Sequence, residues 1–146
     1  VLVGSATAPR GFQGMMELKA AVDSLRDPIP EPFTREFQLS TLHVPVPPAF
    51  LERVVADSRK LPAHAWRQLM DGMLAVEPPV RLRASRIPTL VLWGERDAFA
   101  TRAEQHALVA LVGTATLIAY PETGHAPHWE RPDDVARDLA AFIPRS

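Results

Sequence analysis

Three apolar runs punctuate the chain: Val1-Leu2-Val3, Thr89-Leu90-Val91-Leu92-Trp93 and Thr116-Leu117-Ile118-Ala119-Tyr120. None alternates polar with apolar positions, the pattern of strands covered on both faces in a parallel sheet. Between the second and third runs the period becomes helical. Ala107, Leu108, Leu111 and Val112 share one face, and Thr101 followed by Glu104 forms a capping box ahead of them. Strand, helix and strand within about thirty residues make a βαβ unit. A last helix is predicted from Asp133 to Ile143. Pro132 stands at its start, Asp133 and Asp134 load its positive end, and Val135, Leu139, Phe142 and Ile143 form a sheet-covering stripe.

Residues 9–86 differ in character. Ten of the fifteen prolines fall between Pro28 and Pro88, separating short amphipathic segments. Met15, Leu18, Val22 and Leu25 mark one apolar face; Phe50, Leu51, Val54 and Val55 mark a second; Trp66, Leu69, Met70, Met73 and Leu74 mark a third. So long an excursion between two strands of one sheet is not a loop. The expected organisation is therefore α/β: a sheet strand over 1–8, an inserted helical subdomain over 9–86, and further sheet and covering helices over 87–146.

Composition narrows the function. The chain has 146 residues, is 47% hydrophobic and 23% charged, and so can build a core. A net charge of −1, with 14 Arg and 2 Lys dispersed along the sequence, offers no field for nucleic acid and no polybasic membrane patch. No apolar run approaches the roughly 18 residues of a membrane span. The absence of cysteine excludes a disulfide scaffold, a zinc ribbon and a thiol nucleophile. Because the first residue is Val1, opening as if in mid-strand, an upstream segment is expected. Any targeting signal would lie there, leaving the cytoplasm as the default compartment.

The chemistry gathers at two strand ends. The run Thr89–Trp93 leads into Gly94-Glu95-Arg96-Asp97, and the run Thr116–Tyr120 into Pro121-Glu122-Thr123-Gly124-His125. Both loops fall at the carboxyl edge of a parallel sheet, where α/β proteins place their sites. A carboxylate that fixes the tautomer of a neighbouring imidazole is half of a nucleophilic triad. Asp97 and His125 are therefore the candidate acid and base. His125-x-x-His128 with Glu130 nearby has the look of a ligand cluster. His128 is instead expected to pack or hydrogen-bond before the last helix, and Glu130 to tie a loop. His43, His64 and His106 read as ordinary histidines. No metal or organic cofactor is expected.

The segments Ile87–Asp97 and Gly124-His125-Ala126-Pro127-His128-Trp129-Glu130-Arg131-Pro132 together resemble the C-terminal half of an α/β-hydrolase. Val1–Ala6 is similar to that family's sixth strand, and residues 9–86 to its helical cap. The resemblance implies a Ser–His–Asp hydrolase of a small, fairly apolar carboxylic ester or lactone, with Asp97 as triad acid and His125 as triad base. Phe99, Trp66, Met70 and Ala126 are the expected substrate neighbours. No G-x-S-x-G occurs, and none of the six serines (Ser5, Ser24, Ser40, Ser58, Ser85 and Ser146) has the strand–elbow–helix context. The nucleophile, Ser or Asp, is expected in a missing N-terminal half, so the chain alone is expected to be inactive. An Asp nucleophile would leave a dehalogenase open. Tyr120, the only tyrosine, lies outside the cap, which argues against an epoxide hydrolase. Ala126 stands where carbon–carbon hydrolases of ring-cleavage products usually carry Trp, which places that activity second. A non-enzymatic fragment is the other alternative. An open sheet edge at Val1–Val3 would then be covered by the missing half or by a second copy.

Overall fold

The computed structural model describes residues 1–7, 14–77 and 80–143. Among the described residues the elements run in the order β1 (Leu2–Val3), α1 (Met15–Ser24), α2 (Glu31–Ser40), α3 (Pro48–Ser58), α4 (Ala63–Ala75), a 3₁₀ turn (Val80–Ala84), β2 (Thr89–Gly94), α5 (Arg102–Leu111), β3 (Ala115–Tyr120), α6 (Pro127–Glu130) and α7 (Pro132–Phe142). They fall into two compact units, one within Val1–Thr7, Thr41–Pro45 and Pro79–Ser146, the other within Ala8–Ser40 and Val46–Pro78.

The first unit is a three-stranded parallel sheet in the order β1-β2-β3. Leu2 pairs with Val91 and Val3 with Leu92, while β2 and β3 run in register from Thr89–Ala115 to Gly94–Tyr120. Successive side chains of β2 point to opposite faces, and both faces are covered. Leu90 and Leu92 bury with Tyr120 against Val135, Leu139 and Phe142 of α7. Val91 buries on the other side with Leu108 and Val112 at α5, where Leu117 also packs. This double cover explains the unbroken apolar run. Helix α5 starts at the expected capping box, with Thr101 Oγ1 accepting from Glu104 N and the Glu104 carboxylate accepting from Thr101 N. Ile143 departs from the predicted stripe: α7 ends at Phe142, and Ile143 is 57% exposed.

Tyr120 closes β3 with its hydroxyl donating to Asp138 Oδ2 at 2.7 Å. Burial, and then the neighbouring Asp138 carboxylate, push the phenol well above its ordinary range. The protonated phenol therefore stabilises the fold fully below the unfolded value of about 10, and that stability is lost as pH rises further. As the chain has one tyrosine, its tyrosinate absorbance reads this directly. The folded protein should show almost none at pH about 10, where a free tyrosine is half ionised. A half-ionised band there would contradict the buried Tyr120–Asp138 contact.

The second unit is helical. Met15, Val22, Leu25, Ile29, Ala63 and Met70 form its core, with Leu18, Phe33, Trp66 and Leu74 packed against it. Trp66 meets Phe33 and Phe37 edge-on, each at 5.3 Å between ring centroids. The apolar face of α4 is narrower than the sequence pattern: Leu69 and Met73 are exposed, while Met70 is buried. Helices α2 and α3 are joined by Gln38 Nε2 donating to Ser58 Oγ at 2.8 Å and by Arg35 bridging Glu31 and Glu52. The Asp27 carboxylate accepts the first N–H of α4, from Ala63, at 2.8 Å.

Candidate active site

Parallel pairing continues past the ends of β2 and β3, and this brings two loops together. Glu95 N donates to Tyr120 O and Arg96 N to Thr123 O, both at 2.9 Å. The strands approach so closely here that a Cβ on Gly94 would stand 2.0 Å from Gly124 O and 2.3 Å from Thr123 O. Only a glycine leaves room for the Thr123–Gly124 peptide.

Asp97 follows in a tight turn, its N–H bonded to Gly94 O at 3.0 Å. Its carboxylate is fixed by backbone: Oδ1 accepts from Phe99 N at 2.7 Å and Ala100 N at 3.1 Å. That leaves Oδ2 facing His125 Nδ1 at 2.9 Å. The Asp97 side chain is fully enclosed, whereas His125 is 33% exposed. An enclosed carboxylate accepting at Nδ1 favours the tautomer with the proton on Nδ1, leaving Nε2 as an acceptor. The ring of Phe99 lies 5.0 Å from that of His125. Ala126, immediately after His125, is buried.

Neighbouring backbone holds His125 on two further sides. Gly4, just past β1 and bonded through its N–H to Leu92 O, has φ +55. A Cβ there would come within 2.6 Å of His125 O and 3.0 Å of its ring Cε1. On the other side His125 N donates to Thr41 O at 2.9 Å, and Glu130 accepts from Gly124 N at 2.8 Å. The segment Thr41–Pro45, between α2 and α3 in sequence, thus belongs to the sheet unit. The turn ahead of Gly124 holds Glu122 at φ 48, unusual for a residue with a side chain. Arg96, and then His43, hold the Glu122 carboxyl below its ordinary range.

The other predicted residues sit elsewhere. Trp66 and Met70 lie in the helical unit, in the packing described above. The indole N–H of Trp66 has no hydrogen-bond partner among the described residues. The ring of His128 lies 5.2 Å from that of Trp129 in a tilted arrangement, and desolvation, then the charge of His125, push its imidazole down. No group of three or more potential metal ligands occurs among the described residues, and no helix there is long and apolar enough to cross a membrane. Sequence reasoning missed Gly4, Gly94 and the Thr41–Val44 segment. The first two carried a faint signal, a glycine directly after an apolar run; the third carried none.

With this geometry, residues 1–138 match the model of the alpha/beta hydrolase family. The chain belongs to that family. It is 33% identical over 96 residues to a 2-hydroxy-6-oxononadienedioate/2-hydroxy-6-oxononatrienedioate hydrolase from Comamonas testosteroni, a match covering 66% of this chain and 30% of the relative. Among solved structures it resembles an esterase from Exiguobacterium antarcticum, with a TM-score of 0.77 and 13% identity over 88% of this chain and 46% of that one. It also resembles a 2-hydroxy-6-oxo-6-phenylhexa-2,4-dienoate hydrolase from a Rhodococcus strain, with a TM-score of 0.73 and 24% identity over 97% of this chain and 53% of that one. The chain thus spans about half the length of these solved hydrolases and matches less than a third of the curated relative. The sheet is that of a partial α/β-hydrolase fold.

Proposed function

We propose that this chain supplies the acid and base of a nucleophilic hydrolase, with the nucleophile on residues outside these 146. The contact between the enclosed Asp97 carboxylate and His125 Nδ1 is the observation that carries this reading. In the proposed cycle the nucleophile's hydroxyl oxygen adds to the substrate carbonyl carbon as its proton passes to His125 Nε2. The bond to the leaving alcohol then breaks as that alcohol takes the proton from His125. Water repeats the sequence on the acyl-enzyme and releases the acid. The Asp97 carboxylate at Nδ1 steadies the imidazolium.

The substrate class proposed is a small, apolar carboxylic ester or lactone. Phe99 beside the base and the small Ala126 after it support an apolar acyl group near His125. The helical unit acts as the cap in this reading.

A second reading has a specific observation behind it: the curated relatives hydrolyse 2-hydroxy-6-oxo-dienoates. Those compounds contain no ester, so hydrolysis breaks a carbon–carbon bond beside the 6-oxo group, with the same base in use. Steady-state kinetics on the nucleophile-bearing protein separate the two. We expect kcat/KM for p-nitrophenyl butyrate to exceed that for 2-hydroxy-6-oxo-6-phenylhexa-2,4-dienoate by about tenfold or more. The reverse order would establish the second reading. Full activity on either substrate in His125→Ala would sink both.

A further inference from the structure

The Glu130 carboxylate gathers three backbone donors from two distant stretches of chain. Oε1 accepts from Gly124 N at 2.8 Å, and Oε2 accepts from Val44 N at 2.7 Å and His43 N at 3.1 Å. A fourth bond, His125 N to Thr41 O at 2.9 Å, closes the same joint. Hydrogen bonds to an ionised acceptor are roughly twice as strong as neutral ones. There is no slack: a Cβ on Gly124 would stand 2.6 Å from His43 N and 2.8 Å from both Glu130 Oε1 and Thr41 O. None of these bonds touches the His125 ring. On this side the ring is placed only through its backbone, while Asp97 holds it at Nδ1.

We propose that Glu130 is a positioning residue for His125, locking the strap Thr41–Val44 onto the loop that carries the base. The inference rests on the reading of His125 as that base. The strap is flanked in sequence by Ser40 and Val46, both of the helical unit. The strap itself belongs to the sheet unit, as Glu130 and His125 do, so the whole joint lies within one compact unit. A displacement of about 1 Å in such a group can cost about 10²-fold in rate, so a joint of this kind has catalytic consequence.

Glutamine at position 130 offers one acceptor oxygen and turns an NH₂ toward at least one of the three donors, so Glu130→Gln should open the joint. The readout is nitrogen NMR of the His125 ring and amide hydrogen exchange in the 146-residue chain. In the native protein His125 should be held as the Nδ1–H tautomer. In Glu130→Gln we expect mixed tautomers, with exchange at Gly124, His43 and Val44 faster by about tenfold or more. Gly124→Ala perturbs the same joint while keeping the carboxylate. It should give the same ring signature, and the two changes should combine non-additively. An unchanged His125 tautomer in both folded variants would overturn the proposal, even with the amides freed. Should neither variant fold, native exchange decides: Gly124, His43, Val44 and His125 must open together, and rates far apart would overturn it. Because no substrate enters this test, it can fail while the hydrolase reading stands, and the reverse.

Discussion

Asp97→Asn should reduce turnover of the nucleophile-bearing hydrolase by about 10³–10⁴-fold with little change in KM. The carboxylate serves three partners: Phe99 N and Ala100 N at Oδ1, and His125 Nδ1 at Oδ2. An asparagine can keep its oxygen on the two backbone N–H groups only by turning its NH₂ toward His125. The imidazole must then accept at Nδ1 and carry its proton on Nε2, where it cannot act as a base. The substituted side chain still satisfies the turn, so the fold should survive. Kinetics beside a thermal melt separate the two effects. Loss of folding with normal turnover in the remaining folded fraction would reassign Asp97 to a turn-holding role.

The second large effect is on stability. Gly94→Ala would thrust a methyl group against backbone, 2.0 Å from Gly124 O, 2.3 Å from Thr123 O and 2.6 Å from Thr123 C. Backbone atoms cannot rotate aside as a side-chain tip can. The two loops must part, straining the Glu95–Tyr120 and Arg96–Thr123 bonds that continue the sheet. The expected cost is about 3 kcal/mol or more, above ordinary overpacking. Gly113→Ala is the matched control, since nothing lies within 4 Å of its Cβ position. It should change stability by no more than about 0.5 kcal/mol. Urea midpoints for the two variants check this. Equal midpoints would mean that the loops yield far more easily than the close approach implies.

The sheet and the Asp97–His125 pairing were legible because both depend on local signals. Unbroken apolar runs follow from double cover, and an acid and a histidine just past two such runs must meet if the strands are parallel neighbours. Helix α2 was not legible. Its buried positions include Thr34 and Gln38, polar residues satisfied by Glu31 O and by Ser58 Oγ, so no apolar stripe announces it. In α4 the opposite happened: Leu69 and Met73 extend the apolar pattern yet stay exposed, because only the Ala63–Trp66–Met70–Leu74 line meets the core. The Thr41–Val44 strap was invisible for a third reason. Its role is carried by backbone N–H and C=O groups, which every sequence supplies and none distinguishes. Glu130 could be read as a loop tie, but its partners could not.

The assignment of base without nucleophile is tested most directly by treating the 146-residue chain, and a longer form bearing the nucleophile, with a fluorophosphonate and weighing each intact. The 16.1 kDa chain should keep its mass unchanged. The longer form should gain one adduct, on a residue outside this chain, at a rate that falls steeply in His125→Ala. An adduct on Ser5 or another serine of the chain itself, formed only when His125 is present, would contradict this and make the chain a hydrolase with its own nucleophile.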